Sequence, residues 1–227
     1  MKNLITLNNP KSPISEAYRT FRTNIQFSGF DKDLKTIVVT SSGLGEGKTT
    51  TISNLAITIA QSGSKVLLID CDFRRPQVNK HFEMHNHAGL TNILVNQSTF
   101  KEVVKQTNIM GLEILTSGPK PPNPSELLGS NAMKEFIQEM LTEYDKVLID
   151  APPVGLVTDA AILSTFVDGT ILVLAAGEVA IEQAQRAKEL LQNVNANIIG
   201  VLLNKVSIAK SKYYKYYNYQ YSYEENN

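Results

Sequence analysis

The sequence predicts an α/β fold, with a mostly parallel central sheet covered by helices on both faces. Six short β-branched or leucine-rich runs alternate with helix-length segments along the 227 residues. The runs are apolar almost without interruption, as strands buried on both sides must be. Several end in small or acidic residues, which places turn and charged groups along one sheet edge.

Taken in order, Ser12-Pro13 reads as an N-cap followed by proline at the first helical position. Strands are expected at Ile37–Ser41, Val66–Asp70, Leu112–Thr116, Lys146–Asp150, Gly169–Leu174 and Ile198–Asn204. Helix-length segments lie at Thr49–Gln61, Ser98–Thr107, Asn131–Glu143, Asp159–Ser164 and Ile181–Asn193. Residues 1–206 then form one domain and 207–227 a tail. The loops after Thr40, Ile69 and Ile149 converge at the carboxyl edge, where a ligand belongs.

The first strand runs into Ser41-Ser42-Gly43-Leu44-Gly45-Glu46-Gly47-Lys48-Thr49, a phosphate-binding loop in its strand–loop–helix context. Gly43, Gly45 and Gly47 are read as turning through positive φ, so that consecutive N–H groups face phosphate oxygens at a helix N-terminus. Lys48 would reach the β- and γ-phosphates, and the Thr49 hydroxyl would hold Mg²⁺. Gly43, Gly45, Glu46, Gly47, Lys48, Thr49 and Thr50 make up the expected nucleotide set. Ser42 stands where the motif has glycine, a steric cost if that position needs positive φ.

Two strand ends carry carboxylates: Asp70 and Asp72 after Val66–Ile69, and Asp150 after Val147–Ile149. Apolar strands ending in aspartate beside a phosphate loop suit the water shell of Mg²⁺, which takes few protein ligands. Asp70 and Asp72 are two apart and share a side on a regular strand, so one can orient a nucleophile and the other serve the metal. Capping a turn is the competing role for each. Cys71 between them reads as core. At the end of the last strand, Asn204 either pairs with an adenine edge, donating and accepting at once, or closes a turn. Ser207 replaces the aspartate that a guanine reader needs, which favours ATP over GTP.

Lysine plus arginine balance aspartate plus glutamate, 22 against 22, so no bulk field draws the chain to nucleic acid. A single cysteine suits a reducing cytoplasm. No apolar run approaches the ~20 residues that span a bilayer. The tail carries seven tyrosines in the eleven residues Tyr213–Tyr223 and reads as a mobile low-complexity segment. Exposed phenols beside an ATP site are phosphoryl acceptors; a stacking or adhesive tail is the alternative.

These motifs together resemble the bacterial tyrosine kinases of capsule and exopolysaccharide synthesis (BY-kinases) in their stand-alone form. The resemblance rests on Ser41–Thr49, Asp70-Cys71-Asp72-Phe73-Arg74-Arg75-Pro76, Gly118–Leu128, Asp150-Ala151-Pro152-Pro153 and the tyrosine cluster. It implies a P-loop NTPase fold related to the ParA/MinD group, with ATP and Mg²⁺ as cofactors. Lys48 would lie on phosphate, Thr49 on Mg²⁺, Asp70 at the tyrosine hydroxyl, and Asp72 with Asp150 around the metal. The implied acceptors are Tyr213, Tyr214, Tyr216, Tyr217, Tyr219, Tyr221 and Tyr223, modified in trans. Glu16, Arg19 and Arg22, on one helical stripe, would mediate a ring-like homo-oligomer; an intrahelical salt bridge is the plainer reading. The implied partners are a transmembrane activator with a cytoplasmic tail, protein substrates and a cognate tyrosine phosphatase. The activator would recruit a cytoplasmic protein to the membrane, with the helix after Asp159 and the loop at Arg74-Arg75 as candidate contacts. A ParA/MinD-type positioning ATPase and a tyrosine-tail adaptor with a vestigial site are the alternatives. The first lacks its usual loop lysine, because Gly43 stands there.

Overall fold

The structure is a computed structural model that describes residues 4–28 and 33–207. In chain order the elements are α1 (Ile5–Asn8), α2 (Pro13–Ser28), β1 (Thr36–Ser41), α3 (Lys48–Ala60), β2 (Val66–Asp70), α4 (Val78–His81) and α5 (Leu90–Leu94). There follow α6 (Phe100–Val103), β3 (Lys105–Gln106), β4 (Leu112–Leu115), α7 (Pro124–Leu128), α8 (Asn131–Glu143), β5 (Lys146–Asp150), α9 (Asp159–Ser164), β6 (Gly169–Ala175), α10 (Ile181–Gln192) and β7 (Ile198–Asn204).

The strands form one sheet in the order β3-β4-β2-β5-β1-β6-β7, parallel except at the β3–β4 edge. Alternation divides its side chains between two cores. Ile37, Val39, Leu68 and Ile171 pack with Ile52 and Leu55 of α3, while Val38, Leu67, Ile69 and Leu172 pack with Met133 and Ile137 of α8. Burial on nearly every side explains why α3 shows no polar face. The order reverses around β1, so the loop after β1 opens at a switch point, flanked by the ends of β5 and β6.

The expected strands and the main helices are present, with ends shifted by at most one residue. The expected helix at Ser98–Thr107 is instead the single turn α6 followed by the edge strand β3. Glu102 accepts the Thr99 N–H at 2.7 Å and starts the turn, but Val104 is already extended (φ −63°, ψ 143°). Two adjacent β-branched residues there favour the sheet over further helix. The short helices α1, α4, α5 and α7 carry too few residues to show a period.

Candidate nucleotide and phosphoryl-transfer site

The loop between β1 and α3 turns through positive φ at Gly45 (75°) and Gly47 (92°), but not at Gly43. At Gly43 a Cβ would stand 2.7 Å from the end of the exposed Gln183 side chain and 3.3 Å from Glu46 Oε1, so the space is tight but the nearer neighbour is free to move. Ser42 also avoids positive φ, so its departure from glycine carries no backbone strain. Its hydroxyl donates to Glu46 Oε1 at 2.7 Å. Glu46 also accepts from the Gly43 N–H and, at 3.3 Å, from the Ala175 N–H. This buried carboxylate therefore braces the loop from beneath, pointing into the protein.

Lys48 Nζ lies 2.9 Å from Asp72 Oδ2 and 3.8 Å from Asp150 Oδ1. The Thr49 hydroxyl donates to Asp150 Oδ2 at 2.6 Å. Register puts Asp70 beside Asp150 at the ends of β2 and β5, so Asp70, Asp72 and Asp150 meet around one ammonium group. Burial works against the Lys48 charge, but Asp150 and Asp72 outweigh it and hold the lysine pKa up. Burial pushes Asp150 up to about 6 against the pull of Lys48 and Thr49. Burial, then Asp150, pushes Asp70 well above the carboxylate range.

Asp70 was expected at an incoming hydroxyl, yet it is fully buried. Its Oδ1 accepts the Asp72 N–H at 3.1 Å, and its Oδ2 accepts the N–H groups of Gln77 and Val78 at 3.1 and 3.0 Å. Those bonds fold the Asp72–Val78 segment back over the site and start α4. Asp72, by contrast, lines a cavity of about 340 Å³ with Gly45, Gly47, Lys48, Thr49 and Thr50. Arg75, Gln77, His81 and Pro153 also line it, and sequence reasoning did not single out Gln77 or His81. Their signal is positional: both follow the aspartate pair on the segment that Asp70 anchors. A larger cavity, about 510 Å³, opens at the amino edge near Arg22 and Lys146 but has no phosphate loop.

Asn204 Nδ2 donates to the Glu46 carbonyl at 2.9 Å, and a Cβ on Gly47 would lie 2.0 Å from the same nitrogen. The amide expected to read a base thus places one of its two N–H donors on the loop's backbone. Arg74 grips the buried Asp159 at 3.0 and 3.1 Å, and Ser125 Oγ donates to the same carboxylate at 2.9 Å. The Arg74 loop and the start of α9, named separately from the sequence, are therefore one joined surface. On α2, Arg19 pairs with Glu16 at 2.6 Å, while Arg22 donates to the Thr58 carbonyl at 2.9 Å. The tyrosines from Tyr213 to Tyr223 lie outside the described residues.

The residues fit Mg·nucleotide. Three carboxylates surround one lysine, and Asp150 Oδ1 is buried without a hydrogen-bond partner among the described residues, as suits a site that takes a cation.

A glycine loop ending in Lys-Thr, seated between a parallel strand and a helix and faced by strand-end aspartates, defines a P-loop nucleotide-binding protein. A family model described as an AAA domain matches residues 34–206. The chain is 45% identical over 216 residues to "Tyrosine-protein kinase YwqD" of Bacillus subtilis, covering 95% of this chain and 91% of that one. Among solved structures, "the chimerical protein CapA2B2" aligns with a TM-score of 0.88 at 40% identity, covering 91% of each chain. The kinase domain of the Escherichia coli tyrosine kinase ETK aligns with a TM-score of 0.84 at 31% identity, covering 92% of this chain and 83% of that one. The chain belongs to the bacterial tyrosine-protein kinases, and its enzyme class is protein-tyrosine kinase. Among the described residues, no helix is long and apolar enough to cross a membrane.

Proposed function

We propose that the chain uses ATP and Mg²⁺ to phosphorylate its own tyrosine cluster, Tyr213–Tyr223, in trans between protomers of a ring-like homo-oligomer. The observation that carries this reading is the cavity wall itself, where Lys48 is paired to Asp72 beside a loop with outward-turning glycines. Bound Mg·ATP would supply the phosphoryl group and a divalent charge. The loop N–H groups and α3's N-terminus hold phosphate oxygens, and Lys48 exchanges Asp72 for the transferring group. Thr49 and Asp150 offer oxygens to the metal's water shell. Asp72, released by Lys48, orients the acceptor phenol or completes the metal shell, and Asp70 keeps that segment folded over the site.

A transmembrane activator with a cytoplasmic tail brings this cytoplasmic kinase to the membrane, where it regulates capsular and extracellular polysaccharide synthesis. The joined Arg74–Asp159 surface, next to the cavity, is the contact favoured for that tail. Protein substrates and a cognate tyrosine phosphatase complete the cycle. Nucleic acid is not a partner, in keeping with the balanced charge.

A mixing experiment tests the trans reading. A Lys48→Met chain with an intact tail is mixed with an active chain whose tail tyrosines are phenylalanine, and label is expected on the inactive partner's tail. Label confined to the active chain's own body would rule out transfer in trans.

A further inference from the structure

The segment that roofs the nucleotide cavity ends in α4, and α4 is held at both ends. Asp70 accepts the N–H groups of Gln77 and Val78, while Val78 and Phe82 are buried in the core that contains Ile52 and Leu55 of α3. Between those two apolar anchors, His81 lines the cavity with Lys48, Asp72 and Gly47. The other two histidines, His85 and His87, stack on each other with ring centroids 5.6 Å apart and are not among the lining residues.

His81 Nδ1 is buried and has no hydrogen-bond partner among the described residues. The residue as a whole is half-buried, so the Nε2 side of its ring is the one that meets the cavity. A neutral imidazole carries one proton, and the two nitrogens offer it different surroundings. On Nδ1 the proton would be buried without an acceptor; on Nε2 it faces the cavity, where water or a ligand oxygen accepts it. Burial, with the nearby Lys48 charge adding to it, lowers the imidazole pKa and keeps the ring neutral. The side chain is therefore a neutral N–H donor facing the space beside Lys48.

We propose that His81 is a catalytic residue of the phosphoryl transfer, its Nε2–H donating to an equatorial oxygen of the transferring group. This rests on the proposed use of Mg·ATP at the site, but not on which tyrosines accept. In the transfer the bond from phosphorus to the ADP oxygen breaks, a bond to the phenol oxygen forms, and the phenol proton leaves to Asp72 or water. His81 keeps its proton throughout, since its open nitrogen already carries one and cannot act as the base. The donor is in place before the reaction, because α4 is fixed by Asp70 and the core. Such a donor gains most where charge collects on phosphoryl oxygens.

Two measurements test this. In nucleotide-free protein labelled with nitrogen-15 in its three histidines, imidazole spectra near neutral pH are expected to show His81 as the Nε2–H tautomer, assigned by the signal lost in His81→Gln. The Nδ1–H tautomer would overturn the proposal. Rates of phosphate incorporation into any tyrosine at saturating Mg·ATP are then compared among variants. Gln places an amide N–H near the Nε2 position, Asn places one near Nδ1, and Leu offers neither. His81→Leu and His81→Asn should lose at least about tenfold in kcat, with directly titrated Mg·ATP affinity within about twofold of wild type, and His81→Gln should regain most of the loss. His81→Leu at the wild-type rate would overturn the proposal, as would a folded His81→Gln protein as slow as His81→Leu. A wild type that places phosphate on no tyrosine would overturn the underlying use of Mg·ATP and this proposal with it, a result distinct from the others.

Discussion

The carboxylate of Asp70 accepts the backbone N–H of Val78 at 3.0 Å, which makes a strand-end aspartate the anchor of the segment that roofs the nucleotide cavity. Gln77 and Asp72 donate to the same carboxylate, so three backbone donors lose their acceptor if it is removed. Asp70→Ala should therefore destabilise the fold by about 2–4 kcal/mol and weaken ATP binding as the roof loosens. Urea unfolding checks this. An unchanged midpoint, with transfer alone impaired, would return Asp70 to the role of base.

Asp150 gives a pH signature. Its folded pKa is raised from 3.8 to about 6, so between those values the native state binds the extra proton. Stability from this group therefore falls as pH rises from about 4 to 6, then levels off. Asp150→Asn should abolish that component and be more stable than the wild type at pH 7 without nucleotide, while binding Mg·ATP more weakly. Urea titrations across pH 4–8 on both proteins read it directly. A wild type that gains stability through this window relative to the variant would contradict the assignment.

Arg22 separates self-association from internal support. The last turn of α3 leaves Thr58's carbonyl for the Arg22 guanidinium, which also faces the negative end of that helix. Arg22→Ala should cost about 1 kcal/mol within the protomer. Glu16→Ala and Arg19→Ala remove a partly exposed ion pair and the exposed Arg19 donation to the Pro10 carbonyl and should cost a few tenths at most. Light scattering on the Glu16→Ala/Arg19→Ala protein is expected to show smaller assemblies with an unchanged urea midpoint. Unchanged mass would leave this pair as a surface salt bridge.

The Arg74–Asp159 pair should respond to a single truncation. Arg74→Ala leaves the fully buried Asp159 carboxylate with Ser125 as its remaining side-chain donor, at a cost of about 1–3 kcal/mol. Proteolysis at Arg75 should accelerate, and Arg74→Lys should restore only part of the protection, because a lysine cannot make the two-pronged contact. Cleavage rates equal to wild type in Arg74→Ala would show that the pair does not hold the loop.

The sheet was legible because fully buried parallel strands such as Val66–Ile69 and Val147–Ile149 leave an unbroken apolar record ending in a turn or acid. Lys48, Thr49, Asp72 and Asp150 were legible because their spacing from those strand ends fixes where they meet. The bracing contacts of Glu46 and Asn204 were not: Glu46 accepts from the Gly43 N–H, and one Asn204 N–H donates to the Glu46 carbonyl. Nothing local in the sequence distinguishes an acid that faces a ligand from one that faces Gly43 N–H. Asp70 and Asp72 showed the same ambiguity, and the chain leaving β2 folds back onto the first of them. The Ser98–Thr107 segment failed because the pull of the β4 edge on Lys105 and Gln106 leaves no local record in the sequence.

The central claim is that Lys48 serves phosphoryl transfer from ATP to the tyrosines of this chain. Purified wild type and Lys48→Met, each shown folded by circular dichroism, should be incubated with Mg·ATP with and without a candidate activator tail, and phosphate mapped by mass spectrometry. The wild type is expected to gain phosphate within Tyr213–Tyr223, and Lys48→Met to lose at least about 10²-fold in rate. A folded Lys48→Met protein that labels its tail at the wild-type rate would contradict the account.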